Sequence, residues 1–470
     1  MAVTNNAMLI RRDLLTHFIK LLIEDNLADV DRIPLEMRPK NESSIRCCIY
    51  KDRAVLKYKL MGMLGFSSRD EVDELIPLSD YARKAFNGEV QSDKILTVVD
   101  EACSSCLKIN YMVSNMCRGC VGRPCMVNCP KEAIKIVDGK AKIDHNICVN
   151  CGQCMKVCPF HAIVYIPIPC EEACPVNAIS RDEDGVEYID SSKCIYCGKC
   201  LSACPFGAIV EKSHLVDIFR TKKSGKPLVA LVAPALAGQF GGDLGRIIHS
   251  FKMLGFSQVY EVAYGAEETA RLEAEELKES LNAGEKFLTS SCCPSYTMLV
   301  DKHLQELKPF VSKTATPMHY SAVKARELFP DACTVFVSPC SAKKREAMDD
   351  ANVDYVLSFE EYGAWLVAAG IDLNNIESET ISEPPIAEAR EFAISGGVTN
   401  ALRVALNSSN LNDTQVNGID KTSIRLLKSF VKNPEANYVE VMCCEGGCVG
   451  GCNVITNPKV ATRQIKNGKK

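Results

Sequence analysis

No window of about 18 uninterrupted apolar residues occurs in the chain, so no membrane-spanning helix is expected. An excess of positive charge is also missing. The 55 Lys and Arg against 59 Asp and Glu give a formal charge of -4, which supplies no field to draw in nucleic acid, and nucleic-acid binding is excluded as a first reading. Histidine is scarce: seven occur in 470 residues, none at ligand spacing, and His161 within CPFHAI reads as a structural residue at a helix start. An export signal is not expected either, because the apolar residues after Arg11 and Arg12 are broken by Asp13, His17 and Lys20 at helical spacing, the pattern of an amphipathic helix. Without such a signal, 26 cysteines in a long chain do not read as a disulfide framework. The thiols read as reduced ligands in a cytoplasmic protein.

Cysteine is distributed unevenly, with two before residue 100, sixteen from Cys103 to Cys204, none from 205 to 291, and eight from Cys292 to Cys452. Three regions are expected from this: 1–98, 99–222 and 223–470. The first mixes helical patterns with a loop, IPLEMRPKNESS, and a basic, strand-like stretch, RCCIYKDRAVLKYK. That stretch reads either as a solvated face or as a docking surface for an acidic electron carrier, and its Cys47 and Cys48 read as ordinary thiols. From about 226 the apolar runs KPLVALVAPAL, FSQVYEVAYG, CTVFVSPC and YVEVMCC alternate with helical patterns such as ETARLEAEELKESLNAG. Strands alternating with helices predict an α/β domain with mainly parallel sheets.

The middle region contains an internal repeat: CPKEAIKIVDGKAKIDHNICVNCGQCMKVCPFHAI overlays CPVNAISRDEDGVEYIDSSKCIYCGKCLSACPFGAI. Cys148, Cys151, Cys154 and Cys158 before Pro159, and Cys194, Cys197, Cys200 and Cys204 before Pro205, each form C-x2-C-x2-C-x3-C-P. In this ferredoxin spacing three thiolates from one loop hold one 4Fe-4S cube and the fourth reaches the neighbouring cube. Cys117, Cys120, Cys125 and Cys129 form the partner run of the first copy, with two extra residues in a loop. Crossed ligation predicts one cube on Cys117, Cys120, Cys125 and Cys158, and another on Cys148, Cys151, Cys154 and Cys129. In the second copy a cube on Cys194, Cys197, Cys200 and Cys174 leaves Cys170 and Cys204, which Cys103 and Cys106 would complete to a fourth cube. A zinc site on Cys103, Cys106 and two others is the alternative. Three to four cubes form a wire for single electrons and do not say what the electrons are for.

Four further fragments follow: VAPAL at 232–236, TSSCCPSY at 289–296, SPCSAKKRE at 338–346 and EVMCCEGGC at 440–448. Together they resemble the FeFe hydrogenase family, whose motifs take the form T-S-C-C-P-x-W, P-C-x-x-K-x-x-E and E-x-M-x-C-x-x-G-C. The resemblance covers about 225–455. It implies an α/β catalytic domain of two lobes with mainly parallel sheets flanked by helices, the cluster between them, preceded by α+β ferredoxin-like modules. Carried over, it implies that Cys293, Cys340, Cys444 and Cys448 hold the 4Fe-4S half of an H-cluster, with Cys448 shared with a two-iron half that carries carbonyl, cyanide and a bridging dithiolate amine.

The same resemblance gives the neighbours their roles. Lys343 would donate to a cyanide and Glu346 would hold the lysine; Ala233 and Pro234 would cradle the other cyanide; Met442 would pack on the diiron unit. Gly446 and Gly447, and the pair Gly396 and Gly397, would let backbone approach the cluster. Cys292 would be a free thiol that passes protons, with Glu273, Glu276 and the hydroxyl of Thr316 beyond it. Without the resemblance, Glu273 and Glu276 would read as a solvated acidic helix face. Departures from the family pattern are Ser290, Tyr296, Ser338, Cys443 and Cys452. The implied activity is reversible reduction of protons to dihydrogen, with a ferredoxin-type carrier as electron partner and maturation proteins to build the diiron unit. The alternatives are a slowly turning hydrogen sensor and an iron-sulfur assembly protein without the diiron unit.

Overall fold

A computed structural model describes residues 5–90, 94–103, 106, 110–183, 185–241, 243–381, 384–407 and 411–467. Two parallel sheets organise the C-terminal half. In the first, strand Leu228–Val232 lies between Gln258–Glu261 and Cys333–Ser338, and Tyr355–Ser358 closes the far edge. In the second, Tyr438–Met442 lies between Leu288–Thr289 and Asp413–Asn417. The three central strands Leu228–Val232, Cys333–Ser338 and Tyr438–Met442 are buried along their whole length, as near-continuous apolar runs covered on both faces must be.

Helix Ala263–Asn282 packs against helices Pro317–Leu328 and Gly397–Leu406. It buries Ala263, Ala266, Ala270, Ala274 and Leu277 at helical spacing, so neighbouring helices come close. Glu273 is a carboxylate on that otherwise small and apolar face.

In the middle region each copy of the repeat has its own antiparallel hairpin, Ile134–Val137 with Lys140–Ile143 and Ile179–Arg181 with Glu187–Ile189. Each also has a two-stranded outer sheet: Tyr111–Val113 pairs with Ile163–Tyr165, and Leu96–Val98 pairs with Ile209–Glu211. The second copy therefore begins before the first and ends after it. The first copy is inserted between its halves. Strand Leu96–Val98 lies just before the boundary expected at 98 and is paired with the far end of the cysteine-rich region.

The N-terminal helix Asn6–Ile23, capped by the Asn5 side chain on the Met8 amide, buries Leu14, Leu15, Phe18, Ile19 and Leu22. It packs along helix Phe359–Ala368, where Arg11 and Arg12 both pair with the buried carboxylate of Glu360. Two sequence readings fail in this region. RCCIYKDRAVLKYK is not a strand, because Ile49–Met63 is an α-helix that buries Val55, Leu56, Leu60 and Met63; the three- and four-residue recurrence outweighs the local alternation of apolar and basic residues. IPLEMRPKNESS is loop only after its start, since Ile33–Met37 is a helical turn with Pro34 in its first turn. His161 is likewise not at a helix start; it lies in a turn at φ +49 before strand Ile163–Tyr165.

Among the described residues, no helix is long and apolar enough to cross a membrane. Glu211, at the end of the last module strand, joins the two halves of the molecule. Its carboxylate receives Lys344 at 2.8 Å, Ser341 Oγ at 2.8 Å and Asn453 Nδ2 at 2.8 Å. Burial alone would raise this carboxyl, but the Lys344 ammonium outweighs it and holds it below the usual carboxylate range. Replacing Lys344 by Met strands the Glu211 charge and is expected to cost roughly 3–5 kcal/mol. Urea unfolding checks this, with the Glu211→Leu/Lys344→Met pair expected to recover a large part.

Candidate metal centre

All strands within a parallel sheet end on the same side, and both sheets here direct their carboxyl ends toward one cavity. Leu228–Val232 delivers Ala233 and Pro234, Cys333–Ser338 delivers Cys340, Leu288–Thr289 delivers Cys292 and Cys293, and Tyr438–Met442 delivers Met442, Cys443 and Cys444. Such a junction is where open α/β sheets place ligands. Cys448, Gly447 and Lys343 complete the polar lining, and Val262, Ala266, Met318, Phe336 and Phe392 make the rest apolar. About 840 Å³ lies between these walls, counted to the open mouth. Ten of the residues that the resemblance places at the cluster thus share one cavity, whereas Glu346, Thr316, Glu273 and Glu276 are not among its lining.

Local sequence explains the loop shapes. Ser338 Oγ accepts from the Cys340 amide at 3.2 Å and donates to its carbonyl at 3.1 Å, curling the chain so that Cys340 points inward. Ser290 Oγ accepts the Val441 amide at 3.0 Å, and Tyr296 Oη donates to Thr289 Oγ1 at 2.8 Å, so both unusual residues of that motif brace the second sheet. Gly447 adopts φ +91, and a Cβ there would lie 2.7 Å from the Ser395 nitrogen and 2.8 Å from the Ala393 oxygen. Gly447, which also lines the cavity, fits against Ser395 and Ala393, and Gly397 fits against Glu391, so protein backbone comes close at these two glycines.

Burial pushes the Cys293 thiol up to about 11 and the Cys448 thiol up to about 12, and raises Cys292 and Cys340 well above the usual thiol value. Thiols in such a place stay neutral unless positive charge is supplied. Lys343 is the cation of the lining. Burial disfavours its charge, but Glu346 at 2.7 Å outweighs that and holds it above the usual lysine value. One ammonium cannot balance four thiolates, whereas an iron cluster can, so the donor set fits a multi-iron group. Among the described residues, no three of His, Cys, Asp and Glu gather tightly enough for a single ion.

Behind Cys292 the buried carboxyl of Glu273 accepts Tyr438 Oη at 3.0 Å, and its second oxygen has no hydrogen-bond partner. Burial raises Glu273 to about 8. One turn on, Glu276 accepts Ser312 Oγ at 2.6 Å, Thr314 Oγ1 at 2.9 Å and the Lys313 amide at 2.8 Å. Thr316 does not join them, as the sequence reading had it; its hydroxyl binds Glu346 and receives Lys343 Nζ at 3.3 Å. Ser312, Thr314 and Thr316 alternate along one segment, and the sequence does not say which of the three faces which carboxylate. All three hydroxyl residues border a polar cleft with Glu346 and His319. Tyr438 carried no sequence signal beyond its place in an apolar run.

The sixteen module cysteines fall into four groups. Cys117, Cys120, Cys125 and Cys158 line one small cavity, and Cys129, Cys148, Cys151 and Cys154 line another, the crossed sets the spacing predicts. Cys174, Cys194, Cys197 and Cys200 lie within electrostatic reach of one another, and so do Cys103, Cys106, Cys170 and Cys204. The inserted copy explains why Cys103 and Cys106 are so far in sequence from their group. The last cysteine of each run accepts the amide four residues on: Ala133 at 3.3 Å, Ala162 at 3.4 Å, Ala178 at 3.1 Å and Ala208 at 3.4 Å. Cys197 belongs to the third group and also lines the large cavity. Cys452 does not line it; its sulfur touches Gly198 so closely that a Cβ there would lie 2.3 Å away.

Comparison with known proteins matches residues 226–452 to the family described as the iron only hydrogenase large subunit, C-terminal domain, and 141–164 and 187–210 to the 4Fe-4S binding domain. Iron hydrogenase 1 of Clostridium pasteurianum is 26% identical over 394 residues, 70% of this chain and 68% of that protein. The NADP-reducing hydrogenase subunit HndD of Solidesulfovibrio fructosivorans is 24% identical over 65% of this chain, which spans 55% of that relative's length. A protein of Caenorhabditis elegans described as "Probable cytosolic Fe-S cluster assembly factor oxy-4" is 24% identical over 55% of this chain and 69% of its own. A solved FeFe-hydrogenase HydA1 variant from Chlamydomonas reinhardtii matches at 20% identity with a TM-score of 0.44, covering 52% of this chain and 84% of that one.

Two outcomes are expected. Cys170→Ser lowers bound iron by about four atoms per chain and leaves zinc unchanged, read by elemental analysis. Glu273 takes up its proton more readily when folded, so its stabilising contribution is complete below 4.5 and is lost as pH rises through about 8. The fall in unfolding midpoint across that window is expected to flatten in Glu273→Gln.

Proposed function

We propose, for a chain that is FeFe hydrogenase-like, divergent within that family and equipped with 4Fe-4S modules, that it is an oxidoreductase interconverting protons and dihydrogen. The observation that carries this reading is one apolar cavity holding Cys293, Cys340, Cys444 and Cys448, with the further thiol of Cys292 and the ammonium of Lys343 beside them. Those four cysteines would hold an H-cluster, Cys448 bridging its two halves. When bound, the two-iron half supplies an open iron and an amine base for making and splitting dihydrogen.

The protein's own residues do the rest. Lys343, fixed by Glu346 and Thr316, offers N–H donors to an anionic ligand in a dry pocket. Ala233, Pro234 and Met442 line the same cavity and would bound the group on its apolar sides. Cys292 passes a proton between the cavity and Glu273, whose value of about 8 lets it both take and release one near neutrality. From Glu273 the path runs one helical turn to Glu276 and through Ser312 and Thr314 to the polar cleft. A serine or threonine in place of Cys292 would hold its proton far too tightly for this exchange.

Electrons would enter at the outer module from a ferredoxin-type carrier. There Arg118, Lys131, Lys135, Lys140, Lys142 and Lys156 are exposed, against the exposed acids Glu132 and Asp138, in a chain whose overall charge is negative. Val121, Val127 and Met116 expose apolar surface among them. An acidic carrier suits such a face, and reversing Lys135 and Lys142 to Glu is expected to slow reduction by that carrier at least tenfold at low salt while leaving reduction by dithionite unchanged. Maturation proteins that build the diiron unit and a cytoplasmic setting complete the proposal. A reading as an assembly protein, which the likeness to oxy-4 favours, gives Cys292 and Lys343 no partner to act on.

Protein produced with the diiron-building machinery is expected to show infrared bands of bound carbonyl and cyanide and to evolve dihydrogen. Cys292→Ala keeps the bands and loses most turnover; unchanged turnover removes this thiol from the path.

A further inference from the structure

Lys59 is a buried cation to which nothing above gives a task. It lies on helix Ile49–Met63 with 4% of its surface exposed, and among the described residues its Nζ makes no hydrogen bond and no ion pair. The cations around it are answered. Arg11 pairs with the buried Glu360, and Arg46 pairs through Nη1 with the buried Asp52 at 3.1 Å while its Nη2 donates to the Phe206 carbonyl at 3.1 Å. Lys59 instead shares a small cavity with Arg11, Cys204, Gly207 and Ile209, and no carboxylate is among its lining. A Cβ on Gly207, at φ +59, would lie 2.9 Å from the Lys59 Nζ, so the ammonium rests on the loop that follows Cys204. Burial, Arg46 and Arg11 all disfavour its charge, and an ammonium in such a place needs an anion beside it.

The cysteine group that includes Cys204 can supply that anion. Cys204 accepts the Ala208 amide at 3.4 Å and Cys103 accepts the Glu187 amide at 3.4 Å, and amides aimed at sulfur suit thiolates. Cys103, Cys170 and Cys204 are buried and Cys106 is partly so, a donor set that fits a four-iron cube. We propose that Lys59 is the counter-charge of the cluster on Cys103, Cys106, Cys170 and Cys204, carried to it by the N-terminal region and raising its reduction potential. A cube on four thiolates is an anion in both oxidation states and more negative when reduced, so a fixed cation beside it favours the reduced form. One electron enters this cube from a neighbouring cluster, which is thereby oxidised; Lys59 keeps its proton and no bond is made or broken. Helix Ile49–Met63 thus does more than cover the module.

This inference rests on the proposed reading only so far as this group carries a four-iron cluster, so it is tested on full-length protein made without the diiron-building machinery. Redox titration followed by electron paramagnetic resonance compares the unaltered protein with Lys59→Met, close to lysine in shape but neutral, and with Lys59→Arg, which keeps the charge. The signal absent from Cys170→Ser identifies the cluster. In Lys59→Met its ratio of reduced to oxidised form at a fixed potential is expected to fall about tenfold, a shift of about 59 mV to more negative potential for one electron, with the other clusters unmoved and bound iron unchanged. Lys59→Arg is expected to return most of that shift. An unmoved potential in Lys59→Met, an equal shift in both variants, loss of about four irons in Lys59→Met, or zinc in place of iron at this group overturns the proposal. None of these results bears on the carbonyl and cyanide bands of the matured protein, which judge the hydrogenase reading separately.

Discussion

Parallel strand pairing is the constraint from which the rest of this molecule follows. Once Leu228–Val232 and Cys333–Ser338 run the same way, their loops leave on one side, and the same holds for Leu288–Thr289 and Tyr438–Met442. Cysteines as far apart in sequence as Cys293 and Cys448 therefore meet in one place, with Cys448 opening the short 3-10 helix Cys448–Gly450 and the others in loops. The fully buried central strands supply the rigidity that a multi-thiolate site requires.

Charge is the second organiser. Charged residues near the cavity meet buried counterparts: Lys343 pairs with Glu346, Lys344 with Glu211, and the Glu440 carboxyl accepts from the Gly396 and Thr399 amides at 2.6 and 2.9 Å and the Thr399 hydroxyl at 2.8 Å. Glu273 differs. Its free oxygen and raised affinity for protons mark a carboxyl kept ready to change state, and it lies beside Cys292, a cavity thiol that the resemblance leaves unliganded. Stability and proton handling are thus separated within a few residues.

Much of this was legible in the sequence where chemistry fixes spacing. C-x2-C-x2-C-x3-C-P runs carry their geometry with them, and the crossed grouping at Cys129 and Cys158 follows from it. The alternation of buried strands and helices also announced the parallel sheets. What stayed hidden depends on three-dimensional context. The insertion of one module inside another leaves Cys103 and Cys106 looking like strays. The helix Ile49–Met63 was obscured by a short run that alternates like a strand. Thr316 and Ser312 are chemically alike and four residues apart, so only the path of the backbone decides that one serves Lys343 and the other Glu276. Tyr438 is indistinguishable from any core aromatic until its hydroxyl is seen on Glu273.

The central claim is that four distant thiolates hold one iron centre while their neighbour Cys292 holds none. Iron anomalous scattering from crystals of the matured protein tests it most directly. The account predicts a four-iron group bound by Cys293, Cys340, Cys444 and Cys448, two further irons next to Cys448, and Cys292 free beside them. A cavity without iron in crystals whose ferredoxin clusters are filled, or Cys292 bonded to a metal, would contradict it.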